Sequence, residues 1–178
     1  MSTQNSSETA VTSTIPGSMS TEQTSSGVQT ESPDQNAVTA DSGTIARRTA
    51  RLYAASLANA CTAARIADDL KGHKIVVLDL TKVTAIVDFF VIVTAGSRRQ
   101  MHAIADEVNR KLKREDGNQR ISMEGYRTEG NWILTDYGDV VLHVFTAEGR
   151  ELYQLEQLWA DAQRIDWQTG QPLPREVN

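Results

Sequence analysis

Cysteine is nearly absent from this 178-residue chain, which also has only four prolines and 6% aromatic residues. A single cysteine, Cys61, cannot form a disulfide within the chain, and its alanine-rich surroundings predict a small buried side chain. No stretch approaches the roughly 20 apolar residues of a membrane-spanning helix. The first residues lack the features of a secretory signal or a mitochondrial transit peptide. We therefore expect a protein of a bacterial-type cytoplasm, without a membrane partner.

Lysine and arginine are missing from residues 1–43, a stretch that contains five acidic residues. The whole chain has 18 Lys+Arg against 23 Asp+Glu, so the remaining residues carry 18 charges of each sign and are neutral. Binding to nucleic acid through bulk charge scales with the number of cationic contacts to phosphates. A neutral domain therefore argues against specific DNA binding, and any association with RNA would need a particular surface.

Aromatic residues are also missing from residues 1–43, which are rich in serine and threonine. Such a segment cannot bury enough apolar surface to offset its ordering entropy, so we predict a disordered tail. Translation starting at Met1 or at Met19 is compatible with this sequence, and the tail could be inert or phosphorylated. The predicted domain spans residues 44–166, followed by a C-terminal extension over residues 167–178.

The spacing of apolar residues predicts the first half of the domain. Residues 46–71 are rich in alanine and place apolar side chains every three or four positions, which favours a helix ending near Gly72. Two β-branched runs, residues 74–80 and 89–94, are typical of buried strands. Ser97 then follows the second strand and is placed to cap another helix.

The second half of the domain contains more strands than helices. A short strand is predicted near residues 121–123, and residues 132–145 form two strand-like halves around Gly138, which predicts a hairpin. A last amphipathic helix is predicted over residues 149–163. The element order α-β-β-α-(β)-β-β-α indicates an α/β (α+β) fold, in which helices cover a mixed β-sheet.

The hairpin carries the most informative side chains. A period of two places Trp132, Leu134 and Asp136 on one face of the strand, with Tyr137 at the tip. Trp and Tyr are enriched among the residues that dominate binding interfaces. This face is therefore a candidate partner surface, although Trp132 could instead lie beneath the last helix as part of the core.

An enzymatic alternative arises from Gly96-Ser97 between a strand and a helix, together with Asp136 and Asp139. Magnesium-dependent nucleotidyltransferases combine a Gly-Ser turn with acidic residues, since helix starts favour anions and carboxylates bind hard cations. Those enzymes place two acids at positions i and i+2, whereas these aspartates bracket a turn. The competing interpretation makes Ser97 a helix cap and both aspartates turn residues.

Other polar residues give weaker signals. Three histidines are scattered without metal or triad spacing, and His143, within an apolar strand, is interpreted as a hydrogen-bonded packed residue. The basic run at residues 110–114 either contacts RNA or stabilises a helix C-terminus. Arg98 and Arg99 begin a helix, where their charge is unfavourable, which suggests a partner outside the chain.

Several motifs together resemble the ribosomal silencing factor, or Iojap, family of bacteria and organelles. The matching segments are DFFVIVTAGS at residues 88–97, IAD at 104–106, EG at 124–125, WILTDYGDVVLHVF at 132–145 and RELYQLEQLW at 150–159. They span nearly the whole domain in the family's order. The chain departs from the family pattern at Ala95, where glycine is usual, and at Gln100, where histidine is common.

The resemblance implies a non-enzymatic factor without a cofactor and with a fold related to nucleotidyltransferases. It implies binding to the large ribosomal subunit through its fourteenth large-subunit protein, which blocks joining of the small subunit and represses translation when nutrients are scarce. It also implies a homodimer when the protein is free. The predicted contact residues are Trp132, Leu134, Asp136, Tyr137, Arg99 and Met101.

Overall fold

A computed structural model of the chain describes residues 35–115 and 119–175, with side chains described from Arg47 onward except at residues 48 and 115. Among the described helices, none is long and apolar enough to cross a membrane. The helices are α1 Gln35–Asp69, α2 Arg98–Glu115, α3 Ala147–Tyr153 and α4 Leu155–Leu158. The strands are β1 His73–Asp79, β2 Phe89–Thr94, β3 Ser122–Glu124, β4 Trp132–Asp136, β5 Val140–Phe145, β6 Gln163–Asp166 and β7 Gln171–Pro172.

The seven strands form one mixed sheet in the order β3-β4-β5-β2-β1-β6-β7. The central strands β2 and β5 are parallel, with Phe89 opposite Val140 and Thr94 opposite Phe145. All other neighbouring strands of the described sheet are antiparallel. This arrangement confirms the predicted fold class, and the antiparallel β4–β5 pair confirms the predicted hairpin.

Helices α1 and α2 cover one face of the sheet. The larger core cluster combines the small side chains of α1 with the apolar side of α2 and with the inward residues of the strands. Cys61 is 3% exposed, as predicted from its neighbouring alanines. The side chain of Ser97 accepts a hydrogen bond from the backbone N–H of Gln100 at 3.2 Å, which confirms the predicted N-cap of α2.

The first helix begins earlier than predicted, at Gln35, ahead of the boundary placed at residue 44. It ends at Asp69, close to the predicted stop at Gly72. Residues 1–34, which contain most of the predicted tail, lie outside the described residues. The boundary at residue 44 and the disordered tail stay predictions, and the described backbone of residues 35–43 is helical.

The prediction of one continuous helix over residues 149–163 was wrong. Helix α3 ends at Tyr153 because Gln154 adopts a left-handed conformation, with φ 45° and ψ 46°. The short helix α4 then begins at Leu155, which is buried against the second face of the sheet. Leu152 and Leu158, two apolar residues of the predicted amphipathic helix, are 74% and 72% exposed.

Two strands at the C-terminal end were not predicted. Strand β6 pairs with β1, and β7 pairs with β6 through Ile165 opposite Pro172. Only Ile165 among these residues is buried, at 2% exposure, so the segment lacks the apolar alternation that identifies strands in a sequence. The predicted extension from residue 167 therefore contributes a strand to the sheet of the domain.

Candidate functional site

Strand β4 separates its side chains between the larger core cluster and the second face of the sheet. Ile133 and Thr135 are 1% and 0% exposed beneath α2, whereas Trp132, Leu134 and Asp136 are partly exposed on the other side. Their partners on β5 are Phe145, His143 and Val141, respectively. The period-two prediction for this strand is therefore correct, and three of the predicted contact residues share one face.

Trp132 is partly buried among other rings. Its centroid lies 5.1 Å from that of Phe145 and 4.5 Å from that of Tyr153 on α3. Tyr153 is itself 45% exposed. Trp132 therefore packs against the second core cluster and against Tyr153 of α3, and it stays partly exposed. We call Trp132, Leu134, Asp136 and Tyr153 the aromatic face.

His143 lies beneath Trp132 and is 3% exposed. The indole Nε1–H of Trp132 donates a hydrogen bond to His143 Nδ1 at 3.2 Å. Burial lowers the pKa of His143 to about 3, because charging the ring in an apolar environment is unfavourable. His143 is thus a neutral, hydrogen-bonded packed residue, as the sequence predicted.

A shallow groove of about 380 Å³ borders the aromatic face. It is lined by Glu124, Gly125, Thr128, Gly130, Asn131, Trp132, Leu134 and Tyr153. Gly125 has a φ of 74°, and a Cβ at this position would lie 2.0 Å from the carbonyl oxygen of Trp132. Only glycine therefore lets the loop after β3 pack this closely beside Trp132.

The turn after β4 is built by Asp136 and Gly138. Gly138 has a φ of 93°, as the sequence predicted for the hairpin. Its backbone N–H donates to Asp136 Oδ1 at 2.7 Å. The Asp136 carboxylate therefore stabilises the turn while lying on the aromatic face.

Two of the predicted contact residues are buried. Tyr137 is 4% exposed and Met101 is 1% exposed, and both belong to the core between the sheet and the two long helices. Burial also raises the pKa of the Tyr137 hydroxyl. Tyr137 points inward because it follows Asp136 on the chain, and alternation carries its side chain to the opposite face. Neither residue is therefore accessible to a partner in this conformation.

The arginines at the start of α2 have different surroundings. Arg98 donates to the carbonyl oxygen of Thr128 at 2.5 Å, which ties the α2 start to the loop beside the groove. Arg99 is exposed and lies on a helix of the opposite sheet face from Trp132. The structure therefore gives Arg98 a partner within the chain and does not bring Arg99 into the aromatic face.

Gln100, which stands where histidine is common in the resembling family, joins two elements. Its Oε1 accepts from the backbone N–H of Gly96 at 2.7 Å, and its Nε2 donates to the carbonyl oxygens of Leu70 and Lys71 at 2.8 and 2.7 Å. The side chain therefore links the start of α2 to the end of α1, a role that the sequence did not indicate.

The residues of the enzymatic alternative, Ser97, Asp136 and Asp139, make hydrogen bonds that stabilise the fold. Ser97 caps α2 and Asp136 accepts from the turn at Gly138, as described above. Asp139 accepts a hydrogen bond from Asn59 Nδ2 at 3.4 Å, and its carbonyl oxygen accepts from the N–H groups of Asp88 and Phe89. Among the residues whose side chains the structure describes, no three carboxylate, histidine or cysteine groups are arranged to hold a metal ion.

Sequence reasoning missed Tyr153 and Glu124 as members of this region. Tyr153 occurs within the RELYQLEQLW segment, and the presence of an aromatic residue in that family motif was the available signal. Its proximity to Trp132 depends on where α3 ends, which the helical spacing did not reveal. Glu124 lies in a three-residue strand that carries little pattern of its own.

Comparison with known proteins gives consistent results. The family model described as "Ribosomal silencing factor during starvation" matches residues 53–177. A ribosomal silencing factor of Bacillus subtilis is 40% identical over 108 residues, covering 61% of this chain and 90% of that protein. A Mus musculus protein named for mitochondrial assembly of the ribosomal large subunit is 32% identical over 74 residues, covering 40% of this chain and 32% of that protein. A crystal structure of a Chromobacterium violaceum protein matches with a TM-score of 0.52 and 35% identity, covering 65% of this chain and 88% of that one.

Proposed function

The chain belongs to the ribosomal silencing factor family, and we propose that it binds the large ribosomal subunit through the fourteenth large-subunit protein. Bound there, it blocks association with the small subunit and represses translation, especially when nutrients are limiting. The action needs occupancy of a surface and no chemical step, so no residue is assigned a catalytic role. The site of action is the cytoplasm, where the subunits join.

The observation that carries this proposal is the partial exposure of Trp132 on the second face of the sheet. A partly buried tryptophan that is held among neighbouring rings offers apolar surface without the cost of ordering a free side chain. Leu134 and Tyr153 extend that surface, and Leu152 beside it is 74% exposed. These features favour docking of a protein surface here.

The proposed contact set differs from the one predicted from the sequence. Trp132, Leu134 and Asp136 are retained, and Tyr153 replaces the buried Tyr137 and Met101. Arg99 is left out of the proposed set, because it lies at the start of α2 on the other side of the sheet. A stable interface buries about 800 Å² on each partner, so residues around the aromatic face must also contribute.

The same face supports a proposal about the free protein. An aromatic surface that docks on a partner can also pair with a second copy, because an isologous interface needs only one self-complementary patch. We therefore propose that the free protein forms a homodimer through the aromatic face. Dimerisation and binding to the large subunit would then compete for the same face, and substitution of Trp132 should weaken both interactions.

Sedimentation with separated ribosomal subunits tests the proposed function. The protein is expected to migrate with large subunits and not with small subunits. Large subunits loaded with the protein should form fewer joined ribosomes when small subunits are added. Failure to migrate with large subunits, or normal joining of saturated subunits, would contradict the proposal.

A second experiment tests the identity of the partner. The isolated fourteenth large-subunit protein should bind this chain and should compete with whole large subunits for it. Another isolated large-subunit protein of similar charge serves as the control, since basic ribosomal proteins bind acidic chains without specificity. Equal binding to the fourteenth large-subunit protein and to the control protein would contradict the assignment of the partner. Binding to the whole large subunit would then be decided by the sedimentation experiment alone.

A further inference from the structure

The hydrogen bond between Trp132 and His143 determines which tautomer His143 adopts. An indole N–H can only donate, so His143 Nδ1 must accept and carries no proton. In the neutral ring the proton is then on Nε2. His143 therefore acts as an acceptor toward Trp132 and as a donor on its opposite side.

That donor has no hydrogen-bond partner within the described part of the chain, and His143 Nε2 is fully buried. An unpaired buried donor costs free energy, which an apolar side chain of similar size would avoid. Packing alone therefore does not explain a histidine at this position. The contact that distinguishes it from an apolar residue is the hydrogen bond that it accepts from Trp132.

The rings around Trp132 leave its orientation incompletely defined. Phe145 is stacked on the indole with an interplanar angle of 24°, and Tyr153 is tilted by 51°. Such contacts fix the plane of a ring, but they are weakly directional within that plane. The bond to His143 is directional, and it fixes the nitrogen edge of the indole toward the interior.

We propose that His143 is a positioning residue for docking, which holds the Trp132 indole in one orientation on the aromatic face before the partner arrives. The inference deepens the proposed function and rests on it. A side chain already held in its bound orientation loses less conformational freedom on association, which raises affinity without adding a contact. His143 itself, at 3% exposure, does not touch the partner.

The spectroscopic test is independent of the ribosome. The indole N–H resonance of Trp132 can be assigned in a proton–nitrogen spectrum by its absence in Trp132→Phe. In His143→Leu this resonance is expected to shift toward that of a water-exposed indole and to exchange with solvent more than tenfold faster, since its acceptor is gone. His143→Asn, which offers an amide oxygen near the position of Nδ1, should restore much of the shift and the protection. An unchanged resonance in His143→Leu would overturn the proposal.

The binding test uses the same variants. His143→Leu is expected to bind large subunits about tenfold more weakly, and His143→Asn should recover part of that loss. Val144→Ala is the control, because Val144 is a buried neighbour on the opposite face of β5 and its truncation destabilises the fold without touching Trp132. Equal weakening by Val144→Ala would overturn the positioning role and indicate a general effect of stability.

A double-mutant cycle covers the case in which His143→Leu folds poorly. Trp132→Phe keeps a ring but removes the N–H, and His143→Phe keeps a buried ring but removes the acceptor. His143→Phe should therefore lower affinity less in the Trp132→Phe background than in the wild type. Strict additivity would overturn the proposal. If the wild-type protein does not bind large subunits, the proposed function fails, while the indole resonance still decides whether His143 holds Trp132.

Discussion

Tyr153 on α3 packs against Trp132 on β4, with ring centroids 4.5 Å apart and ring planes at 51°. The two residues are distant in sequence and come together because α3 ends at Tyr153 and the chain turns at Gln154. The helix end thus places one exposed ring beside another. The aromatic face is a product of that turn as much as of the strand that bears Trp132.

Replacement of Trp132 by alanine is expected to weaken large-subunit binding by about 2 kcal/mol, or roughly thirtyfold, which is typical of an interface tryptophan. The protein should remain folded, because Trp132 is only partly buried. Binding by sedimentation and folding by circular dichroism would check both parts. Trp167→Ala is the matched control, since Trp167 is partly buried against the core on the other side of the sheet. Equal loss of binding in the two variants would contradict the assignment of the aromatic face.

The pH dependence of stability should include a contribution from His143. Its pKa falls from 6.5 in the unfolded chain to about 3 in the folded protein, so between these values the unfolded state binds more protons. Above pH 6.5 His143 is neutral in both states, and its contribution to the free energy of unfolding is complete. As the pH falls from 6.5 toward 3, this contribution is lost at about 1.4 kcal/mol per pH unit. Wild type should therefore lose roughly 3 kcal/mol more than His143→Asn between pH 7 and pH 4.5 in urea unfolding. Parallel losses in the two proteins would show that His143 titrates normally.

The ion pair between Arg150 and Glu156 should matter more than a surface pair. Arg150 Nε donates to Glu156 Oε1 at 3.0 Å and its Nη1 donates to Thr94 Oγ1 at 2.9 Å, and the two charged side chains are only 10% and 20% exposed. Arg150→Ala leaves a nearly buried carboxylate unpaired and is expected to cost about 2–3 kcal/mol of unfolding free energy. The double variant Arg150→Met, Glu156→Leu should recover most of it. If the single and double variants are equally unstable in urea, the loss comes from packing and not from the unpaired charge.

Gln154 occupies a backbone conformation that glycine adopts more easily. Its φ of 45° is unfavourable for a residue with a Cβ, so Gln154→Gly is expected to raise the unfolding free energy by about 0.5–1 kcal/mol. Gln157→Gly is the control within α4, where glycine should instead lower stability by up to about 1 kcal/mol. Thermal or urea unfolding measures both. Destabilisation by Gln154→Gly would show that side-chain contacts of Gln154 outweigh the backbone effect.

The sequence predicts the parts of this fold that have strong local patterns. The β-branched runs of β1 and β2, the alanine-rich end of α1 and the capped start at Ser97 each have one physical explanation, and all are present. The hairpin faces follow from alternation, which correctly placed Trp132, Leu134 and Asp136 together. Family motifs then connected these residues to a function.

The errors occur where tertiary contacts outweigh local pattern. Helical spacing from Leu152 to Leu158 predicted one helix, but burial of Leu155 on the sheet favours a break that no propensity indicates. Strand β6 is polar apart from Ile165 and forms only because β1 offers it a free edge. Tyr137 was assigned to the surface as a turn residue, although alternation from Asp136 directs it inward.

The parallel pairing of β2 with β5 has a consequence for how the protein folds. These strands are adjacent at the centre of the sheet, yet α2, β3 and β4 separate them along the chain. Closing so long a loop costs entropy before the contacts form, which slows folding relative to a protein built from neighbouring hairpins. During synthesis, the centre of the sheet cannot assemble until β5 has left the ribosome. The face that carries Trp132 is therefore completed late in synthesis, after both β5 and Tyr153 of α3 have emerged.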